Sequence, residues 1–85
     1  MIDRAATEQL IISKVAMITK KDPASITRDT RLQADLDMKS IDYVGLSATL
    51  ENELGEAPNF KEMLSMEKIS DISDFIIDLK ERNGG

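Results

Sequence analysis

Apolar positions along the chain fall into helical spacings separated by one long irregular stretch. From about Asp3 to Lys20, Ile11, Val15 and Ile18 recur at +4 and +3 with Ile12 beside them, while Ser13, Lys14 and Lys20 lie on the other side. That spacing predicts an amphipathic first helix, ended at "KKDP", where cations suit the last turn and Pro23 drives Asp22 out of the helical region. Near the other end Ile72, Phe75, Ile76 and Leu79 occupy i, i+3, i+4 and i+7 behind a cap at Ser70 or Asp71, which predicts a final helix. Before it, "PNFKEML" reads as a short helix, because Asn59 and Glu62 have capping-box spacing, and Gly55 suits the end of the helix preceding that. Asn83-Gly84-Gly85 is the only end that reads as flexible.

Ile41 to Leu54 forms a helix with two apolar sides. At 100° per residue Tyr43, Leu46, Leu50 and Leu54 gather on one side, a core stripe, and Ile41, Val44 and Ala48 gather on another, about 150° round. The second strip either faces another part of the bundle, such as the last helix, or waits for a partner. Its borders are acidic, with Asp42, Glu51 and Glu53 and nearby Asp35 and Asp37, which suits docking onto a basic-rimmed groove.

Between Pro23 and Lys39 no periodicity is visible, although Ile26, Leu32, Leu36 and Met38 could pin the stretch to a core. Connections this long are uncommon in compact domains and tend to be functional. No strand alternation competes with the helices. The expected fold is therefore all-α: one domain over residues 1–85, a small antiparallel bundle of three main helices, one short helix and a long first loop.

Composition narrows the chemistry. With 85 residues, 41% apolar and 32% charged, the chain suits one small core and lies outside the range of disordered sequences. It has no histidine and no cysteine, which removes the commonest general base, the Ser-His-Asp arrangement, a thiol nucleophile and the usual zinc ligands; no metal site and no self-contained enzyme is expected. A calcium loop starting at Asp35 fails, since Ser40 stands where the sharp-turn glycine belongs and Leu46 where the bidentate glutamate belongs. No segment approaches the roughly 18 apolar residues of a membrane span, and the start has no basic stretch followed by a long apolar run, so a cytoplasmic protein is expected, and a monomer because the apolar strip is small. The net charge of -5 is uneven: residues 1–28 carry +2, residues 29–62 carry -5 and residues 63–85 carry -2. An acidic middle third repels phosphate backbones, disfavouring nucleic acid, and attracts basic protein surfaces, unless it is simply a solvated face.

Ser40 opens the two-sided helix. Its hydroxyl could cap a free backbone N–H, or carry a phosphoryl-linked group favoured by the positive end of the helix dipole. With no internal base to activate it, covalent chemistry there would be performed by another enzyme.

The stretch "LQADLDMKSIDYVGLSATLENELG", Leu32 to Gly55, resembles the acyl carrier protein family. The matching parts are Asp35-Leu36, the Ser40-Ile41 pair followed by Asp42, Val44, Leu46, Ala48 and Leu50, and the "ENEL" of Glu51 to Leu54. The long first loop, short third helix and last helix match the family's layout too. The resemblance implies that Ser40 is the attachment site for 4'-phosphopantetheine, donated by coenzyme A through a phosphopantetheinyl transferase. The arm's thiol would hold acyl groups as thioesters, for delivery to acyl-loading and acyl-processing enzymes with basic docking surfaces in fatty-acid, lipid or polyketide-type biosynthesis. It further implies that Ile41, Val44 and Ala48 are apolar docking contacts, with Asp35, Lys39, Asp42 and Glu51 as polar ones. Leu46, Leu50, Ile72 and Ile76 would line a shelter for the acyl chain. Two positions depart from the family's pattern. Lys39 stands where aspartate usually precedes the serine, reversing a charge met by the modifying enzyme. Gly45 stands where glutamate is frequent, either admitting close approach of a partner or reflecting drift on a tolerant surface. An aminoacyl or peptidyl carrier shares the same arm, and an unmodified helical adaptor is the rival of a different class.

Overall fold

The computed structural model describes residues 3–84, with side chains up to Arg82. Four α-helices follow in order: α1 (Arg4–Thr19), α2 (Ser40–Leu54), the short α3 (Phe60–Leu64) and α4 (Ile69–Gly84). α1 packs against both α2 and α4, and α3 lies against α2.

Local chemistry sets most of the boundaries. Asp3 caps α1, its carboxylate accepting from the Ala6 N–H at 3.2 Å, and Lys20 ends the helix in the left-handed conformation at φ 59°. Gly55 closes α2 at φ 81°, the conformation in which glycine carries no Cβ penalty. The Lys80 ammonium then donates to the Leu54 carbonyl at 2.6 Å, satisfying one of the oxygens that a helix end leaves free. Asn59 and Glu62 form the expected reciprocal capping box on α3, with bonds of 2.8 and 2.9 Å.

Two expectations require correction. α4 begins at Ile69, before the anticipated cap at Ser70 or Asp71: Ser70 is buried in the first turn, and Asp71 reaches back to accept from the N–H groups of Glu67 and Lys68, both at 3.0 Å. An acid at the third helical position can cap from inside the helix, which displaces the start toward the N-terminus. The helical backbone also runs on through Asn83 and Gly84, past the end expected to be flexible, while Gly85 lies outside the described residues.

The long first loop is far from structureless. Pro23–Ser25 makes a turn of 3₁₀ helix capped by Asp22, and residues 31–37 wind through a tight turn, with the Asp35 and Leu36 N–H groups both donating to the Arg31 carbonyl. The carbonyls of Arg28 and Thr30 accept from Ser70 and Ile69, so the loop satisfies the exposed first turn of α4. Ile26, Leu32, Leu36 and Met38 are all buried, as expected, and join α1, α2 and α4 in one core with Ile11, Val15, Leu46, Leu50, Ile72 and Ile76. Burying each such side chain contributes about 1.5–3 kcal/mol, which fixes the loop's path and hence the place where Ser40 emerges. A polar cluster reinforces it: Glu8 accepts from Arg28 at 3.2 Å and from the buried Ser73 hydroxyl at 3.0 Å, joining α1, the loop and α4.

Candidate functional site

The site is built where the loop delivers the chain to α2. Asp37 adopts φ 54°, a left-handed conformation that aspartate tolerates better than most residues. This turn sends Met38 into the core and leaves Lys39 and Ser40 exposed. Lys39, with extended backbone, is the residue before the helix, and its N–H donates to the Asp42 carboxylate at 2.9 Å. The end of α2 is thus capped from its third residue. Ser40 is not the cap: it is the first helical residue, and its hydroxyl has no hydrogen-bond partner among the described residues. The signal that could have decided this in the sequence is the acid three residues after Lys39.

Ser40 stands out among the seven serines. The hydroxyls of Ser25, Ser47, Ser65 and Ser73 are spent on internal acceptors, and Ser70 is buried. Ser13 and Ser40 remain exposed with unbonded hydroxyls, and Ser13 lies in the middle of α1. At Ser40, by contrast, the backbone N–H groups of Ser40 and Ile41 also lack acceptors among the described residues, so the positive end of α2 is open beside the hydroxyl. The local charges are mixed. Lys39 pairs with Asp37 at 2.8 Å, and its ammonium holds the exposed Asp37 carboxylate below the usual range, chiefly through their hydrogen bond.

The two-sided reading of α2 holds, and exposure shows that the second strip does not face another part of the bundle. Tyr43, Leu46 and Leu50 are at most 1% exposed, whereas Ile41 is 77% exposed and Val44 49%, with Ala48 exposed further along the same strip. The strip does not pack on the last helix. Of its acidic border, Glu53 pairs with Lys14 at 3.4 Å, Asp35 accepts from the Arg31 N–H at 2.9 Å, and Glu51 is exposed. Leu46, Leu50, Ile72 and Ile76 lie together in the core, each fully buried.

Sequence reasoning missed three features. Phe60 and Leu64, on the short α3 that packs on α2, are 40% and 44% exposed and add further apolar surface. The Ser47 hydroxyl donates to the Pro58 carbonyl at 2.6 Å and ties the approach to α3 onto α2. The Tyr43 hydroxyl is buried with no hydrogen-bond partner, which the apolar stripe concealed; a tyrosine at a core position is itself the signal, because its O–H ordinarily needs a partner.

Gly45 is half-buried in mid-helix, and a Cβ added there would meet nothing within 4 Å. No internal packing requires glycine at this position.

Among the described residues no helix is long and apolar enough to cross a membrane, and no group of acidic residues could hold a metal ion. The family model described as a phosphopantetheine attachment site matches residues 9–76, an interval that includes all of α2 and α3. Curated acyl carrier proteins from Rickettsia typhi (strain ATCC VR-144 / Wilmington) and Rickettsia prowazekii (strain Madrid E) are each 40% identical over 76 residues, covering 88% of this chain and 84% of theirs. On the strength of that match and these relatives, the chain belongs to the acyl carrier protein family, whose prosthetic group is 4'-phosphopantetheine.

Proposed function

We propose that residues 1–85 act as one noncatalytic carrier unit, with 4'-phosphopantetheine attached to Ser40 and α2 as the surface that partner enzymes read. The observation that carries this is the exposed, unbonded Ser40 hydroxyl at the open positive end of α2. A phosphodiester there would lie near two free N–H groups and the Lys39 ammonium, with the Asp42 and Asp37 carboxylates as opposing charges. The group supplies a terminal thiol for thioester formation, chemistry absent from a chain without cysteine.

The chain's own residues do the rest. Ile41, Val44 and Ala48 offer an apolar strip next to the attachment point, and Asp35, Asp42 and Glu51 border it with negative charge, suiting the basic docking surfaces of a transferase and of acyl-loading or acyl-processing enzymes. Leu46, Leu50, Ile72 and Ile76 are the candidates for sheltering an acyl chain between the helices. Fatty-acid, lipid and polyketide-type biosynthesis all use such a carrier, and the arm is common to aminoacyl and peptidyl carriers.

The test is the intact mass before and after incubation with coenzyme A and a permissive phosphopantetheinyl transferase, with Ser40→Ala alongside. A gain of one phosphopantetheine, absent in the variant, is expected. If Lys39 slows a transferase that meets acidic carriers, Lys39→Asp speeds the reaction. No gain with either protein and several transferases leaves the unmodified adaptor as the better reading.

A further inference from the structure

Tyr43 is the largest of the fully buried side chains, 1% exposed, and its hydroxyl has no hydrogen-bond partner. Among the other buried or half-buried hydroxyls, Thr7 donates to the Asp3 carbonyl at 2.9 Å, Ser47 to Pro58, and Ser73 to Glu8 and to the Ser70 carbonyl. The core cluster that Tyr43 belongs to is otherwise aliphatic, made of isoleucine, leucine, valine, alanine and methionine. Burial raises the phenol's pKa, the Gln33 side chain opposes that shift and the Asp42 carboxylate adds to it, and neither makes a well-formed hydrogen bond to the hydroxyl. Phenylalanine would fill the same space without the desolvation penalty of an unpaired hydroxyl.

The place of this hydroxyl suggests what completes it. Ser40 and Tyr43 are three residues apart, on the same side of α2 and about 4.5 Å apart along its axis. Helical side chains lean toward the N-terminus, so the phenol runs beneath the end of the helix where Ser40 opens to solvent. Leu46 and Leu50 continue the same buried stripe below it. An acyl chain carried on the thiol of the phosphopantetheine arm and entering along this stripe from its Ser40 end would meet the phenol first and the Leu46 and Leu50 side chains afterwards.

We infer that Tyr43 is the hydrogen-bond donor for an oxygen substituent near the thioester end of the sheltered acyl chain, so that β-oxo and β-hydroxy chains are held in preference to plain hydrocarbon chains. Tyr43 is a specificity-determining residue for cargo in this account, which rests on the readings that Ser40 carries the arm and that the interior receives the chain. It adds no covalent step.

The experiment loads the wild-type carrier and Tyr43→Phe with octanoyl, β-hydroxyoctanoyl and β-oxooctanoyl groups. It compares the thermal midpoint of each loaded form with that of the unacylated phosphopantetheine form. In the wild type the oxygenated chains are expected to raise the midpoint roughly 4–8 °C beyond octanoyl, the shift that one ordinary hydrogen bond gives in a domain of this size. In Tyr43→Phe this excess disappears while the octanoyl effect stays. A second reading needs no variant: the near-ultraviolet band of the chain's single tyrosine shifts on loading with β-oxooctanoyl and not with octanoyl. Equal midpoints for all three chains in the wild type, or an excess that survives in Tyr43→Phe, would overturn the inference. So would a loss common to all chains, because the donor would then serve the thioester carbonyl. If Ser40 loads but no chain moves the midpoint, the shelter fails and the inference with it; if Ser40 does not load, the carrier reading has failed first.

Discussion

Gly45 offers a perturbation whose sign is fixed by the structure. It lies in the interior of α2, where glycine costs about 0.5–1 kcal/mol relative to alanine through backbone entropy, and no atom outside its own helix would come within 4 Å of an added Cβ. Gly45→Ala should therefore stabilise the unloaded protein by about 0.5–1 kcal/mol. For a domain of this size that is a rise in thermal midpoint of roughly 2–8 °C, read by circular dichroism. A midpoint that stays put or falls would refute the reasoning. Gly45→Glu should keep most of the gain, offset by mild repulsion from Asp42 one turn earlier, and the same two proteins then report on partners. If a partner helix approaches α2 closely at Gly45, both variants unfold at higher temperature yet are loaded or processed more slowly, Glu more than Ala. If turnover with every partner is unchanged, glycine has no docking role here.

Ile41→Ala and Val44→Ala should alter stability by no more than about 0.5 kcal/mol, since both side chains are exposed, while slowing partner reactions; Leu50→Ala, at a fully buried position, should cost about 2–5 kcal/mol in denaturant titration. Asp42→Ala should destabilise the protein by about 1 kcal/mol, because it removes the acceptor for the Lys39 N–H at the start of α2. The phenol of Tyr43, pushed above its ordinary value of 10.0 by burial, should titrate late in phenolate absorbance. Above the unfolded pKa the folded chain then binds more protons than the unfolded one, so stability is unaffected below about pH 10 and falls as pH rises beyond it; Tyr43→Phe should flatten that alkaline slope.

Periodicity made the main helices legible because each buries one stripe, and the spacing of Ile11, Val15, Tyr43, Leu46, Leu50, Ile72 and Ile76 records which side that is. The short α3 was legible for a different reason, the reciprocal caps of Asn59 and Glu62. The course of the first loop was not. Its order comes from nonlocal hydrogen bonds to the start of α4 and from isolated anchors such as Leu32 and Met38, neither of which leaves a repeating pattern. The start of α4 was misjudged because Asp71 caps from inside the helix, and the same device at Asp42 frees Ser40 from the capping role. Whether the strip of Ile41, Val44 and Ala48 was covered also depended on where α4 passes, which α2's own sequence does not encode. Ser40 could be singled out as the candidate attachment residue only through the motif around it; the structure adds that its hydroxyl is exposed and uncommitted.

The most direct test of the carrier assignment is fragment-ion mass spectrometry of the intact chain after loading from coenzyme A. The account predicts that the phosphopantetheine increment is carried by N-terminal fragments that extend through Ser40 and by none that stop at Lys39. An increment already present in fragments containing only Ser13, or one appearing only beyond Ser40, would contradict it.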